Sequence, residues 1–168
     1  MSFTAFKALA DNRWKFGWFM LRSLPSAFFC GVRLRQLSER EAMISVPFGW
    51  LTQNPFRSMY FACQAMAAEM STGVLALGHI HQRRPRVSML VKRLEAIYHK
   101  KATEKVYFTC TDGLEMLKAI EAAIQSGQGT SCTATSQGKT AAGELVSVFK
   151  IEWSFKAKSE FVSSIPPK

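Results

Sequence analysis

Between Asn54 and Glu69 the chain reads Asn-Pro-Phe-Arg-Ser-Met-Tyr-Phe-Ala-Cys-Gln-Ala-Met-Ala-Ala-Glu. A loop carrying an Asn runs into a segment of small and apolar residues, and one carboxylate sits inside it. A helix coated with Ala, Met and Phe on every side is normally buried on every side. A Glu in such a helix bears a desolvation cost unless something pairs with it or uses it. The chemistry open to a lone carboxylate of this kind is proton transfer or nucleophilic attack. This loop, helix and acid form the candidate site.

The elements that must position them follow from periodicity. Residues 3–22 read as helical, with Phe3, Phe6, Leu9, Ala10, Trp14, Trp18 and Leu21 at three- and four-residue steps; Pro25 ends that region. Residues 31–47 read as a hairpin turned by Ser38-Glu39-Arg40-Glu41. The central helix is expected over 56–77, with Gly78 able to terminate it. Strands are expected over 87–98 and 104–111, and Asp112-Gly113 turns the chain. A second helix over 114–126 carries the stripe Leu114, Leu117, Ile120 and Ile124. A Thr/Ser-rich strand follows over 130–136, then a turn region over 137–143. The last strand runs over 144–156, with a bulge near Phe149-Lys150. One buried helix among antiparallel strands is an α+β design, and burying that helix requires the sheet to curl around it.

Composition bounds the partners. The 168 residues suit one domain, and 48% hydrophobic with 20% charged content describes a folded chain. A net charge of +10 suits an acidic partner, whether a phosphorylated cofactor, nucleic acid or an anionic membrane face, and equally suits plain solubility. Cys30, Cys63, Cys110 and Cys132 are scattered without a C-x-x-C pair and read as buried thiols in a reducing compartment, with a cytoplasmic location expected. His79, His81 and His99 do not join them at ligand spacing, so no metal is expected. No apolar run approaches the roughly 18 residues of a membrane span, and the N-terminal stretch lacks the order of a secretory signal. Its aromatics with flanking Lys and Arg also suit a headgroup layer, which leaves peripheral membrane contact open beside packing on the sheet or a partner subunit.

The element order and the spacing within the central segment resemble the hotdog fold of the acyl-CoA thioesterase superfamily, and more closely the PaaI-like thioesterases and their uncharacterised bacterial relatives. Their pattern is an Asn in the loop, His-Gly-Gly at the helix start six residues later, and an Asp or Glu nine residues after the His. Asn54 matches the Asn, Tyr60 falls at the His, Phe61 and Ala62 at the glycines, and Glu69 at the carboxylate. The likeness runs from about Gly31 to Lys156. It implies a helical extension over 1–30, a hotdog domain over 31–158 with a curved antiparallel sheet around a long central helix, and a flexible tail over 159–168.

The resemblance further implies hydrolysis of an acyl thioester by at least a dimer, either homodimer or homotetramer. The Phe61 N–H at the helix N-terminus would stabilise the oxyanion. Glu69 would be general base or nucleophile, reaching across the subunit interface to Asn54, which orients the water or the thioester oxygen. Ser88 would position the water. Tyr60 and Ala62 would border the substrate; a phenol holds its proton to about pH 10 and so does not replace an imidazole base. Arg83, Arg84, Arg86, Lys100 and Lys101, with Lys92 and Arg93 nearby, would hold the phosphates of coenzyme A, which enters as part of the substrate and not as a separate cofactor.

Each residue also has a plainer reading. Glu69 suits an Arg partner or a partly exposed helix position, Asn54 a helix-start turn, Ser88 an ordinary strand position, and the basic set a solvated edge. Nucleic acid is not expected as a partner, because no recognition helix or aromatic-studded RNA motif accompanies the basic residues. The rival function is a noncatalytic acyl-CoA or lipid-binding module, favoured by Tyr60, Phe61 and the aromatic N-terminus.

Overall fold

The computed structural model describes residues 2–158, so the tail expected over 159–168 lies outside the described residues. The helical region expected over 3–22 is two helices, α1 (Ser2–Asp11) and α2 (Arg13–Ser23), followed by a short α3 (Pro25–Phe29). The break falls at Asn12, whose side-chain Oδ1 accepts the Lys15 N–H at 3.0 Å and so caps α2. Pro25 closes α2 and opens α3, where a residue without an N–H is tolerated.

Strands β1 (Arg33–Leu37) and β2 (Ala42–Val46) form the expected hairpin. Helix α4 spans Phe61–Ile80 and is followed by β3 (Val87–Tyr98), β4 (Val106–Cys110), helix α5 (Gly113–Ser126), β5 (Thr130–Thr140) and β6 (Leu145–Ala157). The six strands make one antiparallel sheet in the order β1-β2-β4-β5-β6-β3. The sheet curls around α4, which packs on β2, β4, β5 and β6, with α1 and α5 alongside it. The architecture is the expected α+β hotdog design with N-terminal helices added.

Several boundaries moved. Helix α4 begins at Phe61, not Phe56, because Asn54 organises residues 54–58 into a turn. It also passes through Gly78 to Ile80, and Gly78 is a packing glycine: a Cβ there would lie 2.5 Å from the Phe3 ring. The lack of a side chain brings α1 down onto α4. Strand β5 continues through Thr140, so the turn is confined to the residues around Gly143, at φ +85. The sheet irregularities fall at Leu34/Gln36, Val91/Arg93 and Gly138/Lys139 rather than near Phe149-Lys150.

The inner face of β6 alternates Phe149, Ile151, Trp153 and Phe155, all buried. Small residues on α4 (Ala67, Ala68, Gly73, Ala76) let the sheet approach closely. The buried polar groups of α4 bond to the sheet: Ser147 Oγ donates to Gln64 Oε1 (2.8 Å), Ser71 Oγ meets Ser136 Oγ (2.8 Å), and Trp153 Nε1–H donates to Thr72 Oγ1 (2.9 Å). These bonds remove the penalty of burying hydroxyl and amide groups and fix the rotation of the helix inside the sheet.

Candidate active site

The loop before α4 is built by Asn54. Its Oδ1 accepts the N–H of Phe56 (2.9 Å), and the N–H and Oγ–H of Ser58 (each 3.3 Å). Its backbone N–H donates to Ser58 O at 2.8 Å, and Arg57 takes a positive φ of 56 to close the turn. Asn54 thus does the work of an Asx turn, while its amide nitrogen has no acceptor among the described residues. Two further bonds pin the helix start: Met59 N–H to Ala102 O and Tyr60 N–H to Thr52 O, each 2.7 Å.

Tyr60 is the N-cap of α4 and supplies no side-chain cap. The Cys63 and Gln64 amides donate to Tyr60 O, whereas the Phe61 and Ala62 amides find no acceptor among the described residues. Two free N–H groups at the positive end of a 20-residue helix form an anion-stabilising position. The Tyr60 and Phe61 rings flank it, exposed and edge to face with centroids 4.8 Å apart.

Glu69 lies half-buried on α4, one turn before Thr72 and on the opposite side from Gln64 and Ser71. It borders a cavity of about 230 Å³ whose other walls are Met66, Met70 and the α2–α3 elbow, Ser23 to Ala27. One turn along, a Cβ at Gly73 would lie 3.3 Å from Glu69 Oε1 and 3.3 Å from the Trp153 ring. Trp153 pairs with Val91 of β3, so Glu69 sits toward the β3 side of the sheet. Among the described residues its carboxylate has neither an ion pair nor a hydrogen bond, so the Arg partner considered for it is absent from them. Burial raises its pKa above the ordinary carboxylate range.

Glu69 stands eight residues beyond Phe61, which is about 12 Å along the axis at 1.5 Å per residue. One chain therefore does not bring the acid to its own free amides. Ser88 is exposed on β3 opposite Lys156, on the outer face of the sheet, and its Oγ donates to Lys156 O at 3.1 Å. Within the chain the sheet separates it from Glu69.

The basic residues fall into two groups. Arg83, Arg84 and Arg86 lead into β3, where Arg83 meets Glu121 at 3.7 Å. Lys100 and Lys101 follow β3 beside the Met59–Ala102 bond, with Lys100 paired to Glu144. The 12 residues of β3 hold the groups roughly 40 Å apart. Lys92 and Arg93 between them pair with Glu152 and Glu95.

Sequence reasoning passed over Gln64 and weighed His79 only as a metal ligand; both are buried on α4. His79 Nε2 lies 3.0 Å from Glu39 O, and burial lowers its pKa, which marks it as a neutral packing residue under Phe3. No group of His, Cys, Asp and Glu suited to a metal occurs among the described residues.

A long helix wrapped by a six-stranded antiparallel sheet, with a free helix N-terminus and an acid two turns on, defines a hotdog protein. The chain belongs to the family described as a domain of unknown function (DUF4442), whose model matches residues 12–155. No curated protein matches the sequence. Among solved structures, it is similar to a Pseudomonas aeruginosa protein of unknown function described as a "probable thioesterase", at 19% identity over 83% of this chain and 93% of that one, with a TM-score of 0.70. It is also similar to a protein of unknown function from Chlorobaculum tepidum TLS (12% identity, 86% and 93% covered, TM-score 0.71). A Haemophilus influenzae thioesterase gives 15% identity, 85% and 90% coverage and a TM-score of 0.62. At these identities the likeness establishes the fold.

Proposed function

We propose that the protein hydrolyses an acyl thioester, of the acyl-CoA type, at a site completed by a second copy of the chain. The observation that carries this reading is Glu69: a half-buried carboxylate without a partner among the described residues, its pKa raised by burial. Such a group is poised for proton transfer. The Phe61 and Ala62 amides complement it as the oxyanion position. The separation of about 12 Å along one helix is resolved if the acid of one subunit serves the helix start of the other.

The edge strand β3 supports that assembly. It is 12 residues long and bonded on one side only, and it exposes Leu94 and Tyr98 at the rim of the inner face. A long edge with exposed apolar residues is a pairing surface. Antiparallel pairing of two β3 strands would set Arg83, Arg84 and Arg86 of one subunit beside Lys100 and Lys101 of the other. Both groups would then converge near a helix N-terminus, where the phosphates of a coenzyme A thioester could be held.

In the reaction, the Glu69 carboxylate accepts a proton from water. The resulting hydroxide attacks the thioester carbonyl carbon, and the negative oxygen is held by the Phe61 N–H. Collapse breaks the C–S bond, and the proton returns from Glu69 to the departing thiolate. The products are a free thiol and a carboxylic acid, which releases its proton to water to become the carboxylate. The Asn54 amide nitrogen orients the water or the carbonyl oxygen.

Tyr60 and Phe61 favour a second reading, a noncatalytic acyl-CoA or lipid-binding protein, because both rings crowd the oxyanion position. Turnover of a broad acyl-CoA panel by the wild type and by Glu69→Ala separates the two. Wild-type hydrolysis, lost in the variant while acyl-CoA binding persists, supports the hydrolase. Binding without wild-type turnover on any member of the panel leaves the binder.

A further inference from the structure

We propose that the cavity between α2, α3 and β1 binds a single-chain amphiphile with an anionic head, of the long-chain fatty carboxylate type, at a site separate from Glu69. The cavity measures about 670 Å³, within the size range of small-molecule sites. Its floor is apolar, formed by buried Phe16, Met20 and Val32. Its rim carries Arg13, Arg33 and Arg35, and its lining includes no acidic residue.

The charge at that rim is uncompensated. Among the described residues no carboxylate pairs with any of the three arginines. Arg33 is fixed by bonds from Nη1 to Phe28 O (3.0 Å) and Val32 O (2.8 Å), and its guanidinium lies 4.8 Å over the Phe28 ring. Arg35 is fixed by Nε to Ser45 Oγ at 2.7 Å. These bonds leave further N–H groups of each fork free to donate. A neutral hydrocarbon would ignore the arginines, and a small hydrated anion would gain nothing from the floor. An amphiphile with a carboxylate head satisfies both.

Helix α2 points the same way. Trp14 and Trp18, one turn apart, border the cavity and are 89% and 66% exposed. Exposed aromatic area of this size marks a contact surface. Gly17 lies between them, a helix-weakening residue in mid-helix. Gly17 is part of the cavity lining, and a Cβ there would have no neighbour within 4 Å, so a larger side chain has room to enter the cavity.

The test is titration of the full chain with cis-parinaric acid, read by energy transfer from tryptophan and by displacement with palmitate or hexadecanol. Saturable binding is expected, with palmitate displacing the probe better than hexadecanol. Gly17→Leu, which fills the cavity and favours the helix, is expected to weaken binding about tenfold or more with an unchanged circular dichroism spectrum. Arg13→Gln with Arg35→Gln is expected to weaken palmitate about tenfold while leaving hexadecanol unaffected. Absence of saturable binding overturns the proposal, as does equal probe affinity in wild type and Gly17→Leu. So does binding seen only to phosphatidylglycerol vesicles and retained by Gly17→Leu, which would make the face a bilayer contact instead.

Discussion

The two sides of α4 are built from similar residues and behave differently. Toward the sheet, Gln64, Ser71 and Thr72 each meet a hydroxyl or an indole N–H from β5 or β6, and among the described residues no fully buried side-chain polar atom lacks a partner. Toward the α2–α3 elbow, Glu69 is a half-buried carboxylate whose pKa burial raises, and among the described residues it has neither ion pair nor hydrogen bond. A fold that satisfies neutral hydroxyls this thoroughly has the means to pair a carboxylate. That Glu69 has no partner among the described residues is the physical argument for a role beyond packing.

The largest effect that sharpens this contrast is on turnover. Glu69→Gln keeps the shape and removes the base, so acyl-CoA hydrolysis should fall about 10²–10⁴-fold while acyl-CoA affinity, read by calorimetry, is retained. An equal fall from Gln64→Leu with unchanged stability would erase the distinction between the two sides.

Next is the edge strand. Replacing Leu94 and Tyr98 together by Lys puts like charges on the proposed pairing surface. Light scattering should then show a monomer, and hydrolysis should fall with it, because each active centre would lose the acid of its partner. A monomeric variant with full activity would confine the chemistry to one chain.

On the bonded side the expected effect is on stability. Ser71→Val strands the Ser136 hydroxyl inside the core, which should destabilise the protein by about 1–3 kcal/mol in urea unfolding. Activity should change only through the folded fraction.

The smallest effect has the opposite sign. The folded-state pKa of Glu69 is raised, so its contribution to stability is complete below the ordinary carboxylate pKa and is lost as pH rises through the raised value. Glu69→Gln has no such loss. The variant should therefore melt above the wild type at pH 8 in a calorimetric scan, and the gap should close toward pH 4. The same shift moves the acidic limb of kcat/KM above the usual carboxylate range. A variant that melts lower at pH 8 would mean that Glu69 is paired in the assembled protein.

Much of the architecture was legible because it rests on local periodicity. The limits of β3 came directly from its apolar pattern and flanking basic turn; the stripe expected on α5 met the structure only at Ile120, because the fully buried face is Gly113, Met116, Ile120 and Ala123, with Leu114, Leu117 and Ile124 half-buried beside it. The misplacements have specific causes. Residues 56–60 read as helix because Phe56, Met59 and Tyr60 extend the apolar run of the helix that follows, yet one Asn54 side chain bends residues 54–58 into a turn. Gly78 read as a stop signal, yet a Phe3 ring from the far end of the chain needs its space. Helix α1 separated from α2 because Asn12 offers a cap, a choice the aromatic spacing on both sides concealed.

The candidate site divides along the same line. That a lone acid follows a loop Asn inside an apolar helical segment is written in the order of residues, because helix spacing and desolvation depend on neighbours in the chain. Tertiary structure alone decided that Glu69 faces the α2–α3 elbow without a partner among the described residues, that Ser88 lies on the outer side of the sheet, and that β3 holds the basic groups apart. Those outcomes depend on sheet register and on which strand lies at the edge, and both are set by contacts between residues far apart in sequence.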